Sequence, residues 1–440
     1  MEIKYPNILL VTSSTFNHYT GTGILLTNLF KGWPINKIAM IHNDNFPPNK
    51  SVCQSFYKLG KREIKILWPF STILNKRYPG KSKSLIYNKF SGNVISSAAK
   101  TIRLSTLVSN TLGGHELFCK QLVSRNLLQW IIKLKPNLIY CHISSLNNII
   151  FMRELKRILK VPLIIHIMDD WLSVRYKSGL FAPVLRLLYL REFKKLLIET
   201  SIRIGICEKM CQTYEKRYGY SFIPFSNTID SSIWLKYIEK PKKKNNSFQI
   251  VYAGTINDKN FESLKIIGNL VEDLYSKGTK IQLKISSFKP RVEIFRSKLE
   301  KKPSVIIKEV PDNDKDMALL LSSADLLFLP IDFNKESIER IRYSMFAKIP
   351  AYMISGTPIL MYGPPGIAAV EYAMKGKWAY VVTEENPSLL KDAILKLKSD
   401  KELRNHFSNQ ARELAILHHD ALKIRELFRQ ELTTAAFYTK

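Results

Sequence analysis

Ser344 and Lys348 stand four residues apart in a turn whose side chains could hold a phosphate. The turn leads into a short apolar helix, which a Gly-Thr-Pro sequence at 356–358 ends. A hydroxyl, an ammonium group and the free amides of a helix N-terminus can all donate hydrogen bonds to a phosphate. The alternative is a solvated surface lysine. We favour phosphate binding because predicted buried strands at 324–330 and 358–362 flank the turn.

A second candidate for phosphate binding lies near the N-terminus. Gly21 and Gly23 follow a predicted strand at residues 8–12 and open a predicted helix. Glycine lets a phosphate or a sugar approach the backbone closely, where helix amides can donate to it. The third glycine of a dinucleotide-binding fingerprint is missing, so a tight turn without a ligand is the alternative. We expect a functional turn because of its place between strand and helix.

Acid–base groups end the predicted strand at residues 162–168. Asp169 and Asp170 follow the strand and His166 lies within it. A carboxylate at the carboxyl end of such a strand could take a proton from a bound hydroxyl group or hold that group in place. For Asp170 the alternative is a helix N-cap. His142 ends the preceding predicted strand, where a buried structural histidine is an equally good interpretation.

Strands and helices alternate through most of the chain, which predicts parallel sheets covered by helices. The alternation stops at a charged, proline-containing stretch at 240–248 and restarts at residue 249. We therefore predict an α/β protein with two Rossmann-like, doubly wound domains at residues 1–239 and 249–415. A linker at 240–248 joins them, and a C-terminal helix is predicted at 416–440.

The second half of the chain resembles the nucleotide-sugar-binding half of GT-B glycosyltransferases, and most closely glycosyltransferase family 4. The residues that carry the resemblance are the Tyr-Ala-Gly end of a strand at 252–254, the Ser-x-x-x-Lys turn and the apolar helix with its Gly-Thr-Pro stop. The resemblance is strongest over residues 250–385. It implies the GT-B fold, in which two Rossmann-like domains face a central cleft and the final helix returns to the first domain.

The resemblance also implies which residues bind a nucleotide-sugar donor. Together with Gly21 and Gly23, they are Gly254, Lys259, Val310, Ser344, Lys348 and Tyr352. Lys259 corresponds to a basic residue that contacts the diphosphate, although a solvated lysine is an equally good interpretation. Val310 corresponds to a residue whose backbone contacts the base. The family's glutamate pair would fall at Tyr343 and Ala351, so both carboxylates are absent here; Glu336 and Glu339 lie nearby and could substitute.

The resemblance bears on the catalytic residues as well. Family members often carry His-Asp at the end of the strand at 162–168, where this chain has Met168 and Asp169. We therefore predict Asp169, Asp170 and His166 as the catalytic group. If the reaction inverts the anomeric centre, an aspartate would deprotonate the acceptor, and otherwise it would position it. The resemblance implies no required metal and no cofactor, because the nucleotide-sugar is a substrate.

The charge of the chain points to an anionic partner. The net charge is +30, and residues 1–239 hold 34 of the 67 Lys and Arg but only 13 of the 37 Asp and Glu. A membrane surface or a lipid phosphate would fit this excess, and so would the general lysine content of an AT-rich genome. A predicted helix at 180–198 mixes apolar and basic residues. It could lie on an anionic membrane or be a core helix with a solvated face.

Five scattered cysteines predict free thiols and a reducing cytoplasm, with no metal site. No apolar stretch is long enough to span a membrane, and no motif for nucleic-acid binding is present.

We therefore predict a cytoplasmic glycosyltransferase, with the inner face of the cell membrane as an alternative location. It would move a sugar from a nucleotide-sugar, with UDP-sugar favoured, to a saccharide or lipid-linked saccharide in bacterial surface polysaccharide synthesis. The alternatives are a non-catalytic glycosyltransferase-like subunit, a GT-B nucleotide-sugar epimerase and a nucleic-acid binder.

Overall fold

The computed structural model describes residues 5–44, 46–66, 111–238 and 246–438. The chain forms two compact units, one within Met1–Phe225 and Glu426–Lys440 and the other within Ser226–Arg425. Residues 226–238, which we assigned to the first domain from the sequence, therefore belong to the second unit. Of the predicted linker at 240–248, residues 240–245 lie outside the described residues.

The first unit contains a parallel sheet of seven strands in the order β3-β2-β1-β6-β7-β8-β9. The strands of this unit are β1 (Ile8–Val11), β2 (Ile38–His42), β3 (Ser55–Lys58), β4 (Ile64–Ile66), β5 (Cys119–Gln121), β6 (Leu138–His142), β7 (Leu163–Ile167), β8 (Ile202–Gly205) and β9 (Ile223–Pro224). Strands β4 and β5 form a separate antiparallel pair. In the main sheet the strand order reverses between β1 and β6, and ligands of doubly wound sheets bind at such a point.

Helices cover this sheet, as the continuous burial of its central strands requires. They are α1 (Gly21–Phe30), α2 (Arg125–Leu134), α3 (Leu146–Leu159), α4 (Trp171–Val174), α5 (Ala182–Glu199) and α6 (Glu208–Tyr218). Local sequence explains several ends. The hydroxyl of Ser124 accepts a hydrogen bond from the Leu127 amide at the start of α2, and Gly219 ends α6 in the left-handed conformation, with φ 75°.

The second unit repeats this plan. Its helices and strands are α7 (Ser231–Ile238), β10 (Phe248–Ala253), α8 (Phe261–Ser276), β11 (Ile281–Ser287), α9 (Lys289–Leu299), β12 (Val305–Glu309), α10 (Asp314–Ser322), β13 (Leu326–Pro330), α11 (Lys335–Ile341), α12 (Ile349–Ile354), β14 (Ile359–Tyr362), α13 (Ala368–Gly376), β15 (Tyr380–Val382), α14 (Pro387–Ser399) and α15 (Lys401–His419). The strand order β12-β11-β10-β13-β14-β15 is that of a Rossmann fold, and it reverses between β10 and β13.

The core of the second unit lies on both faces of its sheet. Along β10, Val251 and Ala253 join one buried cluster, whereas Ile250 and Tyr252 join another. Because successive side chains of a strand point to opposite faces, this division shows that both faces are covered. The alternation of apolar strands with helices along the sequence thus produces a three-layer unit.

The last helix, α16 (Ala421–Phe437), begins in the second unit and continues in the first. Its Phe428 is fully buried in the first unit, where its ring centroid lies 5.2 Å from those of Phe30 and Phe225 and 5.8 Å from that of Tyr140. These edge-on aromatic contacts attach the end of the chain to the first sheet. Across the described ranges, no helix is long and apolar enough to cross a membrane.

Candidate functional site

The hydroxyl of Tyr252, at the carboxyl end of β10, organises the best-defined polar cluster of the second unit. It donates a hydrogen bond to the Thr255 carbonyl, 2.7 Å away. It accepts bonds from Asn260 Nδ2 and from Lys348 Nζ, each at 2.9 Å. Tyr252 is fully buried, and burial raises its pKa well above the ordinary value, so the hydroxyl stays neutral. The cluster lies where the strand order reverses.

Lys348 enters this cluster from the residue before α12 and lies directly against Gly254. A Cβ atom at Gly254 would be 2.6 Å from Lys348 Nζ, so a side chain at residue 254 would force the lysine to shift. The Nζ atom also lies 4.3 Å from the centroid of the Tyr252 ring. Burial lowers the pKa of Lys348 to about 7, and no carboxylate contributes to the shift.

Tyr352 fixes the strand end on which this arrangement depends. Its hydroxyl accepts a hydrogen bond from the Ala253 amide at 2.7 Å and donates one to the Ala253 carbonyl at 3.1 Å. The side chain is only 1% exposed. Tyr352 therefore holds Ala253, and with it Gly254, in place. That Tyr352 also binds the donor remains a prediction.

Asp332 caps the helix that follows β10. Its carboxylate accepts hydrogen bonds from the amides of Ser263, at 2.8 Å, and Glu262, at 3.2 Å, at the start of α8. This helix N-terminus is thus already occupied by a buried anion. The Asp332 amide in turn donates to the carbonyl of Lys259, at 2.7 Å, which fixes the backbone at Lys259. Lys259 is half-buried in this loop.

The other predicted donor-binding residues of this unit lie on neighbouring turns. Ser344 is 7% exposed, and its amide donates to the Ile341 carbonyl at 2.9 Å. Val310 follows β12, and its amide donates to the Ser287 carbonyl at 2.8 Å. The contacts join Gly254, Lys348 and Tyr352 around Tyr252; for Val310, Ser344 and Lys259, donor binding stays a prediction.

Neither of the two positions of the missing glutamates is exposed. Tyr343 is 8% exposed, and Ala351 packs against the core cluster of the second unit. The nearby Glu336 is exposed, with 84% of its side chain accessible, and lies 4.0 Å from Arg340. Glu336 is therefore not a partner of Lys348. In the described part of the chain, Lys348 has no carboxylate partner.

In the first unit, Asn17 explains the glycine turn. Asn17 Oδ1 accepts hydrogen bonds from the amides of Tyr19 and Thr20, both at 2.9 Å, and a Cβ atom at Gly23 would collide with the Asn17 side chain. Gly23 is therefore required by packing. Gly21 is the first residue of α1 and has open space where a Cβ would lie. A ligand-binding role of the two glycines remains a prediction.

Asp170 has a structural role. Its carboxylate is 2% exposed and accepts hydrogen bonds from Tyr214 Oη at 2.6 Å and from Arg217 Nη1 at 3.2 Å. These contacts attach the start of α4 to α6. Asp169 is half-buried, and its negative charge acts on the ring of His142. Asp169, after the end of β7, thus lies beside an acid–base group at the end of the neighbouring strand β6.

His166 is buried within β7, where its Nδ1 lies 2.5 Å from Tyr140 Oη. Burial and the neighbouring His142 lower the pKa of His166 to about 3, so the ring is neutral. It is fully inaccessible, which makes it a structural partner of Tyr140 in this conformation. Catalysis by His166 is untested and stays a prediction.

His142, the last residue of β6, is the histidine better placed for chemistry. It is 4% exposed, and neither ring nitrogen has a hydrogen-bond partner among the described residues. Burial lowers the pKa of His142 to about 4, and the Asp169 carboxylate opposes this shift. In the sequence, the signal for His142 was its place at the end of a predicted strand. The sequence could not show that His142 on β6 lies opposite His166 on β7.

Comparisons with known proteins identify the fold. No family model and no curated protein matches the chain. Solved structures do match over nearly the whole length. HepE from Anabaena in complex with UDP and glucose is 13% identical, with a TM-score of 0.58 over 98% of this chain and 100% of that one. The chain has the GT-B fold.

Two further structures agree with this assignment. Sucrose-phosphate synthase from Thermosynechococcus elongatus is 13% identical, with a TM-score of 0.59 over 97% of this chain and 100% of that one. A glycosyltransferase from Rickettsia africae ESF-5 is 10% identical, with a TM-score of 0.60 over 99% and 100%. The predicted GT-B fold class is therefore confirmed, while these likenesses do not single out family 4.

Proposed function

We propose that the protein is a glycosyltransferase that uses a UDP-sugar donor. The observation that carries the proposal is the position of Lys348, whose Nζ lies against Gly254 where the strand order of a Rossmann sheet reverses. Among the described residues, Lys348 has no carboxylate partner. A diphosphate bound there would supply the missing negative charge. HepE, whose fold is similar, is a protein seen in complex with UDP and with UDP-glucose.

Each group would have a distinct task in the transfer of a sugar. The Lys348 ammonium would offset the charge that develops on the diphosphate as the bond to the sugar breaks. Gly254 would let the phosphates approach the backbone of β10. In the first unit, Asp169 would accept the proton of the acceptor hydroxyl, with His142 beside it. We propose that a hexose is transferred and that Lys348, not a metal ion, neutralises the leaving group.

The acceptor proposal rests on charge. A saccharide or lipid-linked saccharide of bacterial surface polysaccharide synthesis fits a chain with a net charge of +30, because lipid carriers and membranes are anionic. The protein would then work at the inner face of the cell membrane. Membrane attachment would be peripheral.

One observation favours a second candidate function. Tyr343 and Ala351 replace the glutamates that the resembled family uses; Tyr343 is buried, and Ala351 packs against apolar residues. A chain without those carboxylates could serve as a non-catalytic subunit of a glycosyltransferase. Such a subunit would bind nucleotide-sugars weakly or not at all, so nucleotide binding separates the two candidates.

The test is thermal unfolding with UDP, GDP, ADP, CMP and free phosphate. A ligand that binds only the native state raises the melting temperature. We expect UDP to raise that of the wild type but not that of Lys348→Met, which keeps most of the side-chain volume and removes the charge. Lys315→Ala, at an exposed position of α10, is the matched control and should respond as the wild type does. Absence of a shift with every nucleotide would favour the non-catalytic subunit.

A UDP-release assay with UDP-glucose, with and without EDTA, tests the remaining claims. Release that needs no added divalent ion and is lost in Lys348→Met is expected. Release that EDTA abolishes would contradict the proposal that Lys348, and not a metal ion, neutralises the leaving group.

A further inference from the structure

Helix α5 buries one face and exposes another that is apolar. Leu185, Tyr189 and Phe193 on the inner face are at most 3% exposed. On the outer side, Leu180 is 72%, Val184 56% and Leu187 69% exposed, and Phe181 adds 43%. A solvated helix face would carry polar residues at these positions. Four large apolar side chains together on a surface mark a place where another molecule binds.

Two basic residues extend the exposed face of α5 beyond its apolar side chains. Arg191 and Lys194, one and two turns beyond Leu187, are both exposed, and neither forms an ion pair with the described part of the chain. We call Leu180, Phe181, Val184, Leu187, Arg191 and Lys194 the α5 surface. It places an apolar patch directly beside unpaired positive charge.

The apolar end of the α5 surface is held in a fixed position. The amides of Leu180 and Phe181 donate hydrogen bonds to the carbonyls of Thr111 and Leu112, at 2.9 and 3.0 Å. Next to them, Gly113 has φ 105°, and a Cβ atom there would lie 2.6 Å from the Ala182 amide nitrogen. The exposed leucines therefore belong to a packed part of the first unit.

The positive charge of the α5 surface indicates which partner it can bind. A second copy of a chain with net charge +30 would bring further positive charge beside Arg191 and Lys194, so like charge opposes its docking there. A bilayer that contains anionic lipid offers hydrocarbon for the leucines and negative charge for the basic residues.

We propose that the α5 surface binds an anionic lipid bilayer. The patch would enter the boundary between headgroups and acyl chains, while Arg191 and Lys194 would lie among the headgroups. This inference deepens the proposed function, because it names the surface that brings the enzyme to a lipid-linked acceptor. It predicts membrane binding that needs both the apolar and the basic residues.

The experiment measures flotation of the full-length protein with vesicles of phosphatidylcholine alone and of phosphatidylcholine mixed with phosphatidylglycerol. The apolar variant is Val184→Gln/Leu187→Gln, and its control is Leu417→Gln, at a leucine of the second unit that is 63% exposed. The charge variant is Arg191→Gln/Lys194→Gln. Its control is Lys133→Gln/Lys216→Gln, which removes two exposed charges elsewhere in the first unit.

We expect the wild type to bind the mixed vesicles, with binding that falls as salt is added. The apolar and the charge variant should each bind at least about tenfold more weakly. Both controls should bind within roughly twofold of the wild type, because exposed changes away from the contact have small effects.

Three results would overturn the proposal. One is no preference of the wild type for mixed over pure phosphatidylcholine vesicles. Another is equal loss in the variants and their controls. The third is a wild type that self-associates without binding vesicles and becomes monomeric in the apolar variant, which would make the α5 surface an interface between copies. The UDP-induced thermal shift, measured in parallel, is expected to persist in every variant, so failure here is distinguishable from failure of the proposed donor site.

Discussion

The half-buried Lys348 should make donor binding depend on pH. Its pKa in the free protein is about 7, below the ordinary 10.5, because burial disfavours the ammonium form. A bound diphosphate favours that form and so raises the pKa in the complex. Affinity for the donor should therefore be near its maximum below pH 7 and fall as pH rises through the free-protein pKa. Between pH 6.5 and 8.5 the protonated fraction drops roughly 20- to 30-fold, about 2 kcal/mol of binding free energy.

UDP-glucose is the ligand of choice, because its diphosphate is esterified at both ends and has no proton to lose in this range. Isothermal titration at several pH values should show the fall in affinity for the wild type and a nearly flat profile for Lys348→Met. It should also show proton uptake on binding near pH 8. A wild-type profile that is flat, or that weakens toward acid, would refute the assignment of the charge to Lys348.

Three further predictions concern single side chains. Gly254→Ala places a methyl group against the lysine nitrogen, so we expect UDP binding to weaken at least about tenfold, by calorimetry. Tyr352→Phe removes both bonds to Ala253 and should lower the free energy of unfolding by about 1–3 kcal/mol in urea denaturation. Asp169→Asn should lower kcat at least about 100-fold, whereas Asp170→Asn should lower the melting temperature.

The Gly254→Ala prediction has a control. Gly268→Ala, in the middle of α8 with 3.9 Å to the nearest side-chain atom, should leave UDP binding unchanged and not destabilise the protein. Unchanged UDP binding in Gly254→Ala would argue against the close approach of Lys348. Unfolding of Tyr352→Phe at the wild-type urea concentration would contradict its role in holding β10. Full activity of Asp169→Asn would remove it from the proton transfer.

The sequence was sufficient for the fold because the alternation of strands and helices extends through both halves, and apolar strands such as 326–330 can only be buried on both faces. A predicted strand end and a predicted turn also made Gly254 and Lys348 candidate donor-binding residues. The sequence could not show that the two lie against each other, since 94 residues separate them in the chain. The hydrogen bonds around the Tyr252 hydroxyl and the capping of α8 by Asp332 also depend on contacts between residues far apart in the chain.

Local patterns also left two ambiguities that only packing resolves. Asp169 and Asp170 are neighbours with the same chemistry, and only packing shows that Asp170 accepts a hydrogen bond from Tyr214 on another helix. Helix α5 contains apolar residues on both faces, so its sequence fits a core helix as well as a surface one. The exposure of Leu187 and Val184 shows which face remains uncovered.

The most direct test of the central claim is an experimental structure of the protein with UDP. The account predicts the diphosphate at the carboxyl end of β10, with a phosphate oxygen about 3 Å from Lys348 Nζ and against Gly254. UDP bound elsewhere, or bound with Lys348 still directed only at Tyr252, would contradict it.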